Sequence, residues 1–257
     1  MARNMLTNLA DAIATGTIRI IDLTQTLSDK TPMFVLPPEF KQGSAFKLEQ
    51  LARYEGCDFY WNNFTVNEHT GTHFDAPVHW VTGKDLPKNA VDTIDLKAFI
   101  APAVVIDVCD KTAANADYLL IIDDITAWEA KHGRIPPRSW VLMRTDWSKL
   151  PLDKYTNRRE DGAHTPGPSI EVVRFLIDQR DALGFGVETI GTDAGQAHLS
   201  DPPYPAHRFF CGAGRYGLQC LANLDCLPAT GAVIFAAPLK IKNGSGSPLR
   251  VLALVPA

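Results

Sequence analysis

Between Glu68 and Trp80 the chain reads EHTGTHFDAPVHW, which sets His69, His73, Asp75 and His79 close together. The whole sequence has seven histidines, so three in one short stretch is a concentration of ligand chemistry. Imidazole nitrogen and carboxylate oxygen are donor atoms that divalent transition metals take. All four positions are odd-numbered, and in an extended strand alternate side chains leave one face. A helix serves them less well: Asp75 would lie about 200° round from His73 at roughly 100° per residue, and Gly71 and Pro77 disfavour helix. The pattern therefore predicts a strand ending near His73 and a turn at Asp75-Ala76-Pro77, with the four groups converging on one point. A polar strand edge with surface histidines is the plain alternative.

The elements that must position this cluster follow from the flanking sequence. FYWNNFTVNE, residues 59–68, is rich in aromatic and β-branched residues, which predicts that the site-bearing strand begins there and runs directly into the cluster. Without a bulge, Trp61 shares the face of His69. Residues 81–94, with Gly83 and Pro87, form a loop over or beside the site. A cation held by local ligands stays open on its other sides, and residues 201–224 offer His207 and Gln219 across a glycine-rich turn. Alone, that pair is a weak signal, since a single His near prolines is more often structural.

Elsewhere Leu6, Leu9, Ala10 and Ile13 have helical spacing, with Gly16 as a stop. Strands are expected at Ile18–Leu23, Val104–Val108, Trp140–Arg144 and Val187–Gly191. Asp123 or Asp124 caps a helix through Trp128 to His132, stopped by Gly133. Ser169 caps another, with Val172, Phe175, Leu176 and Leu183 as its apolar stripe. Ala232–Ile241 and Leu249–Val255 read as a hairpin around NGSGS. Residues 28–43 carry Pro32, Pro37 and Pro38 and form an irregular arm; residues 1–45 could cross to another subunit. Strands mixed with helices give one α/β domain over residues 1–257.

Composition bounds the function. A net charge of −4 with no run of Lys or Arg argues against nucleic acid or an anionic membrane surface and leaves a small molecule as partner. Five cysteines without a Cys-x-x-Cys pair indicate neither a disulfide framework nor a zinc ribbon. With no signal-like segment and no apolar stretch long enough to span a bilayer, a cytoplasmic protein is expected.

HTGTHFDAPVHW resembles the H-x-G-T-H-x-D-x-P-x-H signature of the metal-dependent cyclase family that includes bacterial kynurenine formamidase. TGKD, VLMRTDW, IGTDAGQ and LANLDCLPATGA to APLKI are similar to its isatin-hydrolysing branch, and the likeness runs from about Ile18 to Pro256. It implies a cyclase-type α/β fold with a swivelling β/α/β-like arrangement, a mixed sheet or barrel-like β core flanked by helices, and a homodimer. By it, His69, Asp75, His207 and Gln219 are metal ligands, His73 is a ligand or occupies a second metal position, and His79 is catalytic. The formamidases have a bridging glutamate where Gln219 stands, so loss of that charge favours one metal. Mn²⁺ is expected first and Zn²⁺ second.

The implied reaction is hydrolysis of a small aromatic cyclic amide, isatin to isatinate, by metal-activated water. Trp61, Phe64 and Trp80 are the aromatic candidates for the substrate slot, with Tyr60 and Phe40 weaker; each has an ordinary core role as its alternative. Asp193 either orients a ligand imidazole or bonds within its loop, and Cys220 lies close to Gln219 without a base to make it a nucleophile. The rivals are arylformamidase action on N-formylkynurenine, a non-haem iron oxygenase built on His73, Asp75 and His207, and a non-catalytic metal-binding module.

Overall fold

The computed structural model describes residues 4–36, 38–81 and 83–257; Pro37 of the irregular arm and Thr82 of the loop beside the site lie outside the described residues. Nine strands form one mixed sheet: β1 (Ile18–Asp22), β2 (His73–Asp75), β3 (Ile100–Asp107), β4 (Trp140–Arg144), β5 (Gly184–Val187), β6 (Tyr216–Gln219), β7 (Ala232–Phe235), β8 (Gly246–Pro248) and β9 (Leu252–Pro256). Their spatial order is β1-β9-β7-β3-β4-β5-β6-β2-β8. Neighbours from β3 to β6 run parallel, and the outer pairs are antiparallel.

Helix α1 (Met5–Ala14) precedes β1; α2 (Cys109–Ala114) and α3 (Ile122–His132) connect β3 to β4; α4 (Ile170–Asp178) connects β4 to β5, and α5 (Pro205–Gly212) connects β5 to β6. The central strands are buried on both faces, as parallel strands under crossover helices must be. Val141 and Met143 of β4 pack with Ile125, Val172 and Leu176 of the helices. Trp140 and Leu142 point the other way, into a second core that includes Phe74, Leu218 and Ala253. The α/β class expected from the sequence is the one found.

Several local expectations are corrected. The strand predicted to run from residue 59 into the His cluster is broken. Trp61–Thr65 pairs with Lys47–Ala52 in a separate hairpin, and the chain reaches β2 through Gly71, whose φ of +62° is a left-handed turn suited to glycine. The strand expected at Val187–Gly191 is Gly184–Val187, ending where the other began. Asp124 caps α3 from inside its first turn by accepting from Ile121 N at 3.1 Å. Leu183 lies beyond the end of α4 but is buried. The hairpin expected from Ala232 to Val255 exists as β7 against β9, but its loop contributes β8 to the far edge of the sheet, against β2.

Strand β2 is short, and Phe74 anchors it. That side chain has no exposed surface and meets Phe99, Trp140 and Tyr216 at centroid distances of 5.8, 6.2 and 5.2 Å. Alternation then turns His73 and Asp75 to the opposite face. Phe74→Ala is expected to lower the free energy of unfolding by about 3–5 kcal/mol, read from denaturant melts; a loss near zero would show that the aromatic contacts do not secure the strand.

Candidate metal centre

Strand register assembles the first half of the site. In the antiparallel β6–β2 pair, Gln219 lies opposite His73 and Gly217 opposite Asp75. On the other flank Gly246 lies opposite Asp75. Both glycines keep tight space open for the cluster, and at Gly246 a side chain is excluded. A Cβ on Gly217 would stand 3.0 Å from Asp75 Oδ2, and one on Gly246 would stand 2.6 Å from Cε1 of His69. The 3₁₀ turn Pro77–His79 then returns His79 over His69, ring centroids 3.9 Å apart. Alternation along β2 accounts for His73 and Asp75, while His69 arrives from the turn before the strand and His79 from the 3₁₀ turn after it.

The second half comes from α5. Asp193 accepts from Ala206 N at 2.6 Å and His207 N at 3.1 Å, closing the first turn of the helix, and from His207 Nδ1 at 2.5 Å. Those bonds direct Nε2 of His207 to Asp75 Oδ2, 3.5 Å away. Of the two readings left open for Asp193, it orients the imidazole while it also bonds the backbone.

Proton placement decides whether a cation fits. His73 Nδ1 lies 2.7 Å from the Gly71 carbonyl, to which it must donate, so Nε2 is a bare lone pair 3.5 Å from Asp75 Oδ1. His207 commits Nδ1–H to Asp193, so Nε2 is the nitrogen that a bound cation would meet. His69 Nδ1 stands 2.8 Å from Asp75 Oδ1. Asp75 itself is 1% exposed. Lone pairs converging on a buried carboxylate repel unless a positive charge lies among them, so the donor set fits a divalent cation. Gln219 Nε2 donates to Asp75 Oδ2; its carbonyl oxygen becomes the available ligand when the two ends of the amide exchange, which leaves the heavy-atom outline unchanged.

Charge states follow from the same geometry. Burial raises the cost of charge on Asp75, but the adjoining imidazoles of His207 and His69 hold its carboxyl well below the usual range. Burial pushes His73 down to about 4 and His79 down to about 3. Burial also opposes charge on His207, yet hydrogen bonds to Asp193 and Asp75 push it up to about 10. A cation bound here would expel the proton at its inner nitrogen. A ligand atom from each of His69, Asp75 and His79 lies within 4.8 Å of the others, so His79 reaches the same point as the ligands.

The aromatic candidates separate. Trp80 borders the site, with centroids 5.3 Å from His207 and 5.6 Å from Tyr204. Trp61 and Phe64 stand on the separate hairpin, 59% and 61% exposed, against Phe59 and Phe46. The predicted place of Trp61 beside His69 depended on a continuous strand, and that strand ends at Thr65. Tyr60 and Phe40 are exposed as well. Cys220 is buried, in a left-handed backbone conformation (φ +52°). Burial pushes its thiol up to about 12, which suits no nucleophile.

Sequence reasoning missed Glu68 and Ser245. The Ser245 hydroxyl lies 2.9 Å from His69 Nε2 and donates to Glu68 Oε2 at 2.6 Å. Glu68 is adjacent to the cluster, but Ser245 sits in a loop that reads as an ordinary turn, and no local signal links the two.

Comparison with known proteins shows what the whole chain is similar to. The family model described as putative cyclase matches residues 21–194. An isatin hydrolase of Roseibium aggregatum is 45% identical over 99% of this chain and 98% of its own. A kynurenine formamidase of Polaromonas naphthalenivorans is 25% identical over 94% and 93%. The solved structure of isatin hydrolase A from Labrenzia aggregata, bound to benzyl benzoate, is 56% identical and superimposes with a TM-score of 0.96 over 99% of this chain and all of that one.

The depressed histidines predict acid sensitivity. An unfolded chain binds protons at His73 and His79 near pH 6.5, whereas the folded chain does so only near 4 and 3. Stability from these groups is complete above pH 6.5 and is lost as pH falls through that window. Thermal melts of chelator-treated protein should fall steadily from pH 6.5 to 4, with a shallower slope in His79→Gln; equal slopes would remove His79 from the effect.

Proposed function

The chain belongs to the cyclase family, and on that premise we propose that it is a metal-dependent hydrolase opening the cyclic amide of isatin to give isatinate. The observation that carries the reading is the convergence of imidazole nitrogens on buried Asp75, in a chain whose likeness to an isatin hydrolase extends over nearly its full length. Asp75, His69, His73, His207 and Gln219 would hold the cation. When bound, a divalent metal acidifies water and polarises the amide carbonyl. Gln219 carries no charge, so Asp75 supplies the anionic ligand, and this favours a single Mn²⁺, with Zn²⁺ as second choice.

His79 carries the proton. Burial keeps its imidazole neutral, and among the described residues its ring nitrogens have no hydrogen-bond partner, so it is free to accept a proton from attacking water. It then delivers that proton to the ring nitrogen as the C–N bond breaks, while the water oxygen becomes part of the new carboxylate. Trp80 offers an aromatic wall for a flat substrate.

Trp61 and Phe64 join the site in this reading only through assembly. Residues 1–45 and the hairpin at 47–65 expose Phe34, Val35, Phe40, Leu48, Trp61 and Phe64, more apolar surface than a lone chain usually displays. The arm and hairpin are proposed as the contact of a homodimer, with Trp61 and Phe64 directed to the partner's substrate. Five unpaired cysteines accord with a cytoplasmic location, and no helix among the described residues is long and apolar enough to cross a membrane.

His79→Ala should retain metal and lose roughly 10²–10⁴ in isatin turnover, whereas Asp75→Ala should lose metal itself; metal analysis beside the isatin assay checks both. Two metals per chain with faster turnover of N-formylkynurenine would transfer the reading to arylformamidase, and oxygen consumption by the iron form would transfer it to an oxygenase. Sedimentation should give twice the 28.2 kDa chain mass, reverting to one chain in a Trp61→Asp/Phe64→Asp variant.

A further inference from the structure

The geometry points to Glu68 and Ser245 as a relay that fixes the tautomer of His69, so that this histidine binds metal through Nδ1. The inference rests on the metal-dependent reading above. Glu68 Oε2 receives two bonds from Ser245, one from the backbone N at 3.1 Å and one from the hydroxyl at 2.6 Å. An ionised carboxylate only accepts, and a serine hydroxyl has one hydrogen. That hydrogen is therefore committed to Glu68, and Ser245 Oγ can only accept from His69 Nε2, 2.9 Å away.

Nε2 must then carry the proton. Nδ1, 2.8 Å from Asp75 Oδ1, is left as the lone pair of a neutral imidazole and faces the same carboxylate that His73 and His207 address. Those two use Nε2 and give Nδ1–H to Gly71 O and Asp193. His69 is the mirror case, with its outer proton at Nε2. Each imidazole thus has an outward acceptor that selects which nitrogen turns inward.

The relay also explains the position of β8. Pairing of β8 with β2 holds Ser245 at the edge of the site, where Ala76 N donates to its carbonyl at 2.9 Å. Gly246 leaves room for the imidazole that Ser245 grips. Glu68 and Ser245 are positioning residues: they act on the metal through His69. Ser245→Ala removes the acceptor and frees His69 to place its proton on Nδ1. Ser245→Thr keeps the hydroxyl. Glu68→Gln adds a donor and lets the hydroxyl turn its hydrogen toward the ring.

The test has two readouts. Titration with Mn²⁺, following the free ion by electron paramagnetic resonance, should give a dissociation constant roughly 10–100-fold weaker in Ser245→Ala. The loss should be smaller in Glu68→Gln, and Ser245→Thr should recover most of it. Histidine ¹⁵N spectra of the Zn²⁺-loaded wild type should show His69 protonated at Nε2. Equal Mn²⁺ affinity in Ser245→Ala, equal losses in Ser245→Ala and Ser245→Thr, or a wild-type His69 protonated at Nδ1 would overturn the relay. The spectrum needs no variant, so a poorly folded mutant does not shield the idea. Wild-type protein that binds neither metal removes the functional reading; metal bound through Nε2 of His69 removes the relay alone.

Discussion

A carboxylate without solvent is the constraint on which the structure turns. Asp75 sits between β6 and β8 with its charge removed from water, a burial that costs several kcal/mol unless positive charge compensates it. The surrounding residues answer that demand with inward nitrogens, each backed by a fixed acceptor: a carbonyl for His73, Asp193 for His207, and Ser245 with Glu68 for His69. Side chains so arranged hold a small cation better than they hold one another.

The sheet supplies the rigidity this arrangement needs. β2 has three residues and could not fix its own register. It is held by ladders on both sides and by Phe74 in the core beneath. The cost of placing polar groups on its upper face is offset by the apolar contact on its lower face, and a one-residue slip would exchange the two. Helix α5 adds His207 from above, with Asp193 serving both as the partner of its first turn and as the orienter of the imidazole. One carboxylate thus ties helix placement to ligand direction.

The aromatic residues divide between the two roles that large apolar side chains play. Phe74, Trp140 and Tyr216 form the floor under the site, while Trp80 stands at its mouth against His207. Those of the hairpin at 47–65 are neither floor nor wall within one chain. Their exposure is the feature that a homodimer would account for most directly, and it is also where the sequence reading of a continuous strand failed.

That failure marks the boundary between local and distant information. By itself the sequence determined the α/β class, the strand at Trp140–Arg144, the Ser169 cap, and the convergence of His69, His73, Asp75 and His79, because periodicity, capping and residue spacing act over a few positions. The placement of His207 and Gln219 beside Asp75 was legible through likeness to a family, since their spacing alone carried little. The break after Thr65, the capture of β8 by β2 and the pairing of Ser245 with Glu68 and His69 were decided by tertiary structure. Those features join residues up to 177 positions apart, and what selects them is the burial of Phe74 together with compensation of the charge on Asp75, neither of which any short window of sequence contains.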